Sequence, residues 1–298
     1  MRNTRSLTLK HLKKNADFLF VLPWILGVCC FTLLPYLFSF YISFTKYNMM
    51  GLPKWIGFEN YIEIFTSDDL FWRSLWITCK YVFISVPMKL TFSLIIALIL
   101  NSKLRFTAFY RTVFYIPSLL GSSVAIAVVW KTMFEKEGAV NSFLGIFGID
   151  GPDWIGNPNT ALFVLALLTM WQFGSPMLIF LAALKQVPST IQEAAKVDGA
   201  SGIRRFFCIT LPMISPMIFF NLIMQMIQAF QTFTSAMMVT NGGPVNSTLL
   251  YVLMIYNKGF KDYNFGYASA LSWVLLVIIM LFTAVTFKTQ DKWVYYDS

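Results

Sequence analysis

The chain has 298 residues, 57% hydrophobic and only 12% charged, against about 25% charged in an ordinary soluble domain, so a water-facing globule is excluded and a membrane is the expected solvent. The net charge of +9 would suit nucleic acid, but no basic patch interleaved with aromatics on a soluble domain accompanies it, so the charge reads as membrane topology.

Arg2, Arg5, Lys10, Lys13 and Lys14 precede an uncharged run over 18–45. That run far exceeds the about 7–15 residues of a signal core and closes without a small-x-small site, so 1–17 reads as an N-terminal arm and the run as a retained first span. Further uncharged runs cover 112–130, 154–184, 206–257 and 263–287, and a helical span needs roughly 20 apolar residues. The expectation is an all-α integral membrane protein with six transmembrane helices at 18–45, 75–100, 112–134, 160–184, 213–238 and 264–287. The whole of 1–298 forms one transmembrane domain, with a cytoplasmic loop over 185–212. Barrel strands of ~10 alternating residues do not fit. Pro212 and Pro216 mark the start of span five, and Asn241-Gly242-Gly243-Pro244 its end. Residues 249–257 read as a short helix leading to span six.

Basic residues fix the orientation. The N-terminal five, Lys103, Arg105, Arg111, Lys185, Lys196, Arg204, Arg205, Lys288 and Lys292 fall on one side. Half as many, Lys46, Lys54, Arg73, Lys131, Lys136, Lys258 and Lys261, fall on the other. Both termini are therefore expected in the cytoplasm. Lys80 lies near a span end and can snorkel. Lys89 sits mid-span, where an ammonium costs about 3 kcal/mol or more; a pathway contact and an interior lysine with a carbonyl or water partner both fit.

Little enzymatic chemistry is present. His11 is the lone histidine, Cys29, Cys30, Cys79 and Cys208 have no metal-ligand spacing, and no Gly-rich phosphate loop occurs. The spans contain no carboxylate, so proton-driven transport lacks its usual groups. The driving energy is expected from a partner acting on the cytoplasmic loop.

That loop carries Pro188, then Ser189-x-x-Gln192 and Thr190-x-x-Glu193, each of which fits a capping box. A helix should run to Asp198 and stop at Gly199. It is too short to persist alone in water and must dock. A second helix is expected over roughly 201–210. The string Glu193-Ala194-Ala195-Lys196-Val197-Asp198-Gly199-Ala200, with Phe206, Ile209, Leu211-Pro212 and Pro216, resembles the EAA signature of binding-protein-dependent ABC importer permeases. Its spelling resembles the carbohydrate-uptake, maltose-transporter-like branch. "FYRTVFYIPSLL", "TNGGPVNSTLLYVLMIYNKGF" and "NFGYASALSWVLL" are similar to that branch elsewhere, so the resemblance covers nearly the whole chain. Lys89 departs from the small or neutral polar residue expected there, and no large extra outer domain is present.

The resemblance implies the ABC importer permease fold in a prokaryotic cell membrane. It implies pairing with a second homologous permease, two ATPase subunits, an extracytoplasmic solute-binding protein, a carbohydrate substrate and membrane lipid, with no nucleic acid. This chain would bind no cofactor or metal, ATP and Mg belonging to the ATPase subunits. Glu193, Ala194, Ala195, Asp198, Gly199 and Ala200 would form the coupling helix, and Asn241, Gly242, Gly243 and Pro244 would face the binding protein. A permease for another polar solute, such as a glycerophosphodiester, and a non-transporting scaffold are the alternatives.

Span five adds its own pattern. Asn221, Gln225, Gln228, Thr232 and Ser235 are spaced 4, 3, 4 and 3 apart, which places them on one face at about 3.6 residues per turn. Carboxamides facing lipid would be expensive, so the stripe faces protein or water. It reads as interhelical packing or as a substrate path for hydroxyl-bearing solutes, with Gln172 and Trp171 on span four and Phe230 and Phe233 as further contacts. A stripe without charge argues against a strongly anionic solute.

Overall fold

The computed structural model describes residues 20–102, 106–121 and 123–295. The arm expected over 1–17, the first residues of the expected first span, and Lys103 and Arg105 lie outside the described residues. Two compact units emerge: Met1–Thr66 with Lys258–Trp273, and Ser67–Asn257 with Val274–Ser298.

In the first unit, α1 (Phe20–Ser43) is long and apolar enough to cross a membrane. A π-helical turn, Cys29–Leu33, precedes Pro35. Proline lacks an N–H and crowds the carbonyl of the preceding turn, and the wider turn relieves both. Strands β1 (Thr45–Lys46) and β2 (Lys54–Trp55) pair antiparallel, Thr45 opposite Trp55. Asn60, at the start of α2 (Glu59–Thr66), donates its amide to the carbonyls of Ser43 (2.8 Å) and Thr45 (3.0 Å). It thereby satisfies acceptors that the end of α1 leaves open. Phe44 packs on Trp55, Phe58 and Tyr61 with centroids 5.3–5.6 Å away. Gly266 donates its N–H to Tyr47 O (3.2 Å) and lies so close to the Thr45 carbonyl that a Cβ would overlap it.

The second unit is organised by α3 (Asp69–Asn101). Asp68 starts it by accepting from the Leu70 and Phe71 N–H groups, a carboxylate N-cap. At 33 residues it spans about 50 Å. One stripe is buried, Phe71, Ser74, Thr78, Tyr81, Ser85, Lys89, Ser93, Ala97 and Leu100 among it. The small members let neighbouring backbones approach. After it come α4 (Thr107–Leu120), α5 (Val124–Phe134), α6 (Ala139–Ile146), α7 (Ala161–Trp171), α8 (Gly174–Gln186), α9 (Ser189–Val197), α10 (Gly202–Met213), α11 (Ser215–Phe230), α12 (Tyr251–Tyr256) and α13 (Phe265–Thr289). Helix α3 packs on α7, α8 and α11.

Three expected spans are not continuous. The helix expected over 112–134 is interrupted between Leu120 and Val124. That over 160–184 bends by 48° between α7 and α8. That over 213–238 begins after a 67° bend between α10 and α11. It then stops at Phe230, and Thr232 and Phe233 are non-helical before a π-helical turn over Ala236–Thr240. The first two breaks have local causes: Pro117 with Gly121 and Ser123, and Gly174-Ser175-Pro176, where the proline sits in a first turn that needs no N–H. The break at 231–233 contains neither Gly nor Pro.

At Gly174 the backbones of α4 and α8 touch. A Cβ there would lie 2.7 Å from Phe114 O and 2.8 Å from both Ser118 Oγ and Tyr115 Cα. Gly174→Ala is therefore expected to destabilise by about 1–3 kcal/mol. Gly145→Ala, in α6 with nothing within 4 Å, is expected to be neutral or stabilising by up to about 1 kcal/mol. Melting of the two purified variants in detergent checks the contrast; equal melting would refute the close approach.

Candidate functional site

The three helix breaks converge on one cavity of about 200 Å³, lined by Lys89, Gly121, Thr169, Gln172, Gln225, Gln228, Gln231, Thr232, Phe233 and Ser235 among others. An interrupted helix exposes backbone groups, and deep in an apolar solvent each needs a partner. At the α7–α8 break, Ser118 Oγ donates to Gln172 O (3.1 Å) and accepts from Ser175 N–H (3.0 Å). Ser93 Oγ shares its one proton between Lys89 O (2.6 Å) and Phe173 O (3.0 Å). The Gln172 side chain crosses to donate Nε2–H to Gly121 O (2.9 Å), so one glutamine joins two of the breaks. It fills the space where a side chain at position 121 would stand.

The structure brings Gln172, Gln225, Gln228, Thr232 and Ser235 to this cavity, but not on the continuous helical face that their spacing predicts. Gln225 and Gln228 reach it from the last turns of α11. Thr232 and Ser235 reach it from the interruption beyond. Asn221 does not line it; its side chain is fully buried in α11 and, among the described residues, neither amide atom has a hydrogen-bond partner. Phe233 lines the cavity. Phe230 does not: it is buried with its ring 5.1 Å from Phe282. Trp171 instead stands 6.1 Å from Trp130. The Tyr81 hydroxyl, hydrogen-bonded to Thr169 Oγ1 (2.5 Å), fixes one wall. The amides of Gln225, Gln228 and Gln231 make no hydrogen bond among the described residues, so their donors and acceptors are open to a ligand. Thr169 and Gly121 are lining residues that periodicity passed over, while Gln231, at the edge of the face that the stripe's spacing defines, lines the cavity too. Lys89 is another, and a mid-span charge was its signal.

In the segment at 189–213, α9 begins with Pro188 as N-cap and without a side-chain cap, so the expected capping boxes at Ser189 and Thr190 do not form. Both residues already lie inside the helix, after Pro188, whose ring fixes its own φ at the extended N-cap position. The end matches a Schellman closure: Gly199, at φ +77°, donates its N–H to Lys196 O (3.1 Å), and Ala200 donates to Ala195 O (2.9 Å). Glu193, Ala194, Asp198 and Gly199 are exposed, Ala195 and Ala200 half-buried. Ile191, Val197, Ile203 and Phe207 add exposed apolar surface beside them. Gln192 tethers α9 by donating Nε2–H to Thr210 Oγ1 in α10 (2.9 Å). Ser201 caps α10 by accepting from Arg204 N–H.

The 241–248 loop is tightly built. Thr248, fully buried, donates to Gly243 O (2.6 Å), and Arg73 donates to Val245 O. Of the four residues picked from sequence, Asn241 is exposed, Gly242 buried, and Gly243 and Pro244 half-buried; the exposed tip is Val245–Asn246.

Residues 71–291 match the family model described as "Binding-protein-dependent transport system inner membrane component". The chain is 48% identical, over its whole length and 96% of the relative, to the "Probable ABC transporter permease protein YesP" of Bacillus subtilis (strain 168). It is 34% identical, over 96% of the chain and 98% of the relative, to the "Lactose transport system permease protein LacF" of Rhizobium radiobacter. Its fold matches a chain of a bacterial ABC transporter involved in the import of the acidic polysaccharide alginate, with TM-score 0.81 at 20% identity, over 96% of this chain and 98% of that one. The chain belongs to the family of inner membrane components of binding-protein-dependent transport systems.

Proposed function

We propose that this chain is half of the translocation path of an ATP-driven saccharide importer. Six spans, three of them broken, cross the membrane with both termini on the cytoplasmic side, as one transmembrane domain. A second, homologous permease completes the path. Two ATPase subunits bind on the cytoplasmic side, one of them taking α9 in a cleft, and an external binding protein delivers the solute. ATP and Mg belong to the ATPase subunits, and this chain binds neither. The observation that carries this reading is the cavity at the three breaks. The side-chain amides of Gln225, Gln228 and Gln231 line it without a hydrogen-bond partner among the described residues, which suits polyhydroxyl solutes. The lactose relative supports a saccharide.

Three outcomes follow. Gln225→Leu and Gln228→Leu should assemble with their partners yet lower uptake, or shift sugar preference, by about 2–10-fold each, the worth of one lost hydrogen bond. Uptake by reconstituted vesicles reads this, and unaltered rate and selectivity in both would make the residues packing. Glu193→Lys places a like charge where a basic ATPase residue is expected and should lower substrate-stimulated ATP hydrolysis more than about tenfold. Gly199→Val, which forces a β-branched residue into the left-handed region at a cost of about 1–2 kcal/mol, should do the same while the spans stay folded. Retained stimulation in both would remove α9 from coupling. Asn246→Trp, at the exposed tip of the 241–248 loop, should weaken stimulation by the binding protein and leave basal hydrolysis intact; unchanged stimulation would make the loop a connector.

A further inference from the structure

Lys89 is only 6% exposed, on α3 two residues after Pro87, and it lines the same cavity as Gln225 and Gln228. Among the described residues that line the cavity it is the lone charged group, and none is acidic. Among the described residues its ammonium has neither an ion-pair nor a hydrogen-bond partner; only its backbone carbonyl is engaged, by Ser93 Oγ. A buried, unpaired cation is costly in a soluble interior and more so at membrane depth. Interior lysines held for packing are normally paired with a carboxylate or carbonyl, and this one lines a polar cavity without either among the described residues.

We infer that Lys89 is the anion-recognition point of the cavity and that the transported solute is a saccharide bearing a carboxylate, such as a uronic-acid oligosaccharide. This rests on the import reading above and narrows it. One ammonium balances one carboxylate, while the surrounding amides and hydroxyls take the sugar hydroxyls. A phosphate monoester, at roughly −1.5 to −2 near neutral pH, would leave surplus negative charge with no second cation beside it. A neutral sugar would leave the ammonium desolvated and unmatched. The uncharged stripe on α11, read alone, points to a neutral solute; the neighbouring helix supplies the charge that the stripe lacks.

The test uses the full complex in proteoliposomes with its binding protein, and matched probes: trigalacturonate, galactotriose and glycerol 3-phosphate. ATP-dependent uptake of trigalacturonate should exceed that of the other two. Lys89→Gln should cut trigalacturonate uptake about tenfold or more, the effect of losing a charge-assisted bond, with galactotriose uptake unchanged or raised. Lys89→Arg should restore the acidic preference. Binding-protein affinity for trigalacturonate, measured apart, should be the same in every case because the binding protein is unaltered. Preference for galactotriose with no effect of Lys89→Gln on the acid-to-neutral ratio would overturn the assignment and leave saccharide import standing. Preference for glycerol 3-phosphate, lost in Lys89→Gln, would overturn the carboxylate. Absence of ATP-dependent uptake of any probe would overturn saccharide import and this inference with it.

Discussion

A backbone that stops being helical inside an apolar solvent must find partners for its N–H and C=O groups, and the second unit depends on how three such stops are satisfied. Ser118 and Ser93 supply hydroxyls to the stop between α7 and α8, and Gln172 spends its amide on the stop at Gly121. The third stop, at 231–233, opens onto the cavity itself. Helix breaks of this kind are tolerated where protein or an enclosed polar space replaces lipid. Clustering the three around one space lets a single polar patch serve all of them, so the cavity exists because the helices break there. Gly174 permits the arrangement, since only a residue without Cβ lets Ser118 reach both Gln172 and Ser175.

The same breaks tie the cavity to α9. Helix α8 begins beside Gln172 and ends one short linker before α9. Its 13 residues make a rod of about 20 Å. On the other side, Gln192 ties α9 to Thr210 in α10, and α10 leads through the Ile214 bend into α11, whose last turns carry Gln225 and Gln228. A push on α9 therefore reaches two walls of the cavity through two helices. In the proposed transporter this is how a partner's closure would change the cavity without touching it. The Schellman turn at Gly199 matters to this because it fixes where the helix ends and hence the direction in which α9 meets α10.

Much of this was legible in the sequence, and the reasons for the rest are physical. Uncharged runs located the apolar segments, because charge is what a membrane excludes. Gly199 announced the end of α9, because a left-handed residue there has few alternatives. The starts were harder: Ser189 and Thr190 offered two capping boxes, yet Pro188, with its fixed φ, is the N-cap. The breaks near Gly121 and Gly174 had signals in Gly-Ser-Ser and Gly-Ser-Pro that a smooth hydropathy run conceals. The break at 231–233 had none. Gln-Thr-Phe is compatible with helix, and tertiary surroundings override that weak preference. For that reason the polar stripe on span five pointed to Gln225 and Gln228 while misplacing Asn221, whose position on the helical face is buried away from the cavity.

Periodicity also treats each helix alone, and that is how Lys89 and the stripe came to look unrelated. A cavity is lined by several elements, and its chemistry is the sum of what they contribute. Here α11 contributes neutral amides that can donate or accept, α7 and its break contribute Thr169 and Gln172, and α3 contributes one fixed cation. The combination sets limits on affinity as well as on selectivity. A transport site must bind well enough to admit its solute and weakly enough to release it. Neutral amides suit this, since each hydrogen bond to a hydroxyl replaces one to water at a net gain of only about 1 kcal/mol. A single ammonium adds orientation and rejects mismatched charge more than it adds affinity, because much of its attraction is offset by the water that both ions give up. Two or three cations in so small a space would hold an anion too firmly to release it, and a cavity with none would not discriminate acid from neutral sugar. In the proposed transporter, one lysine among glutamines would discriminate and still let go.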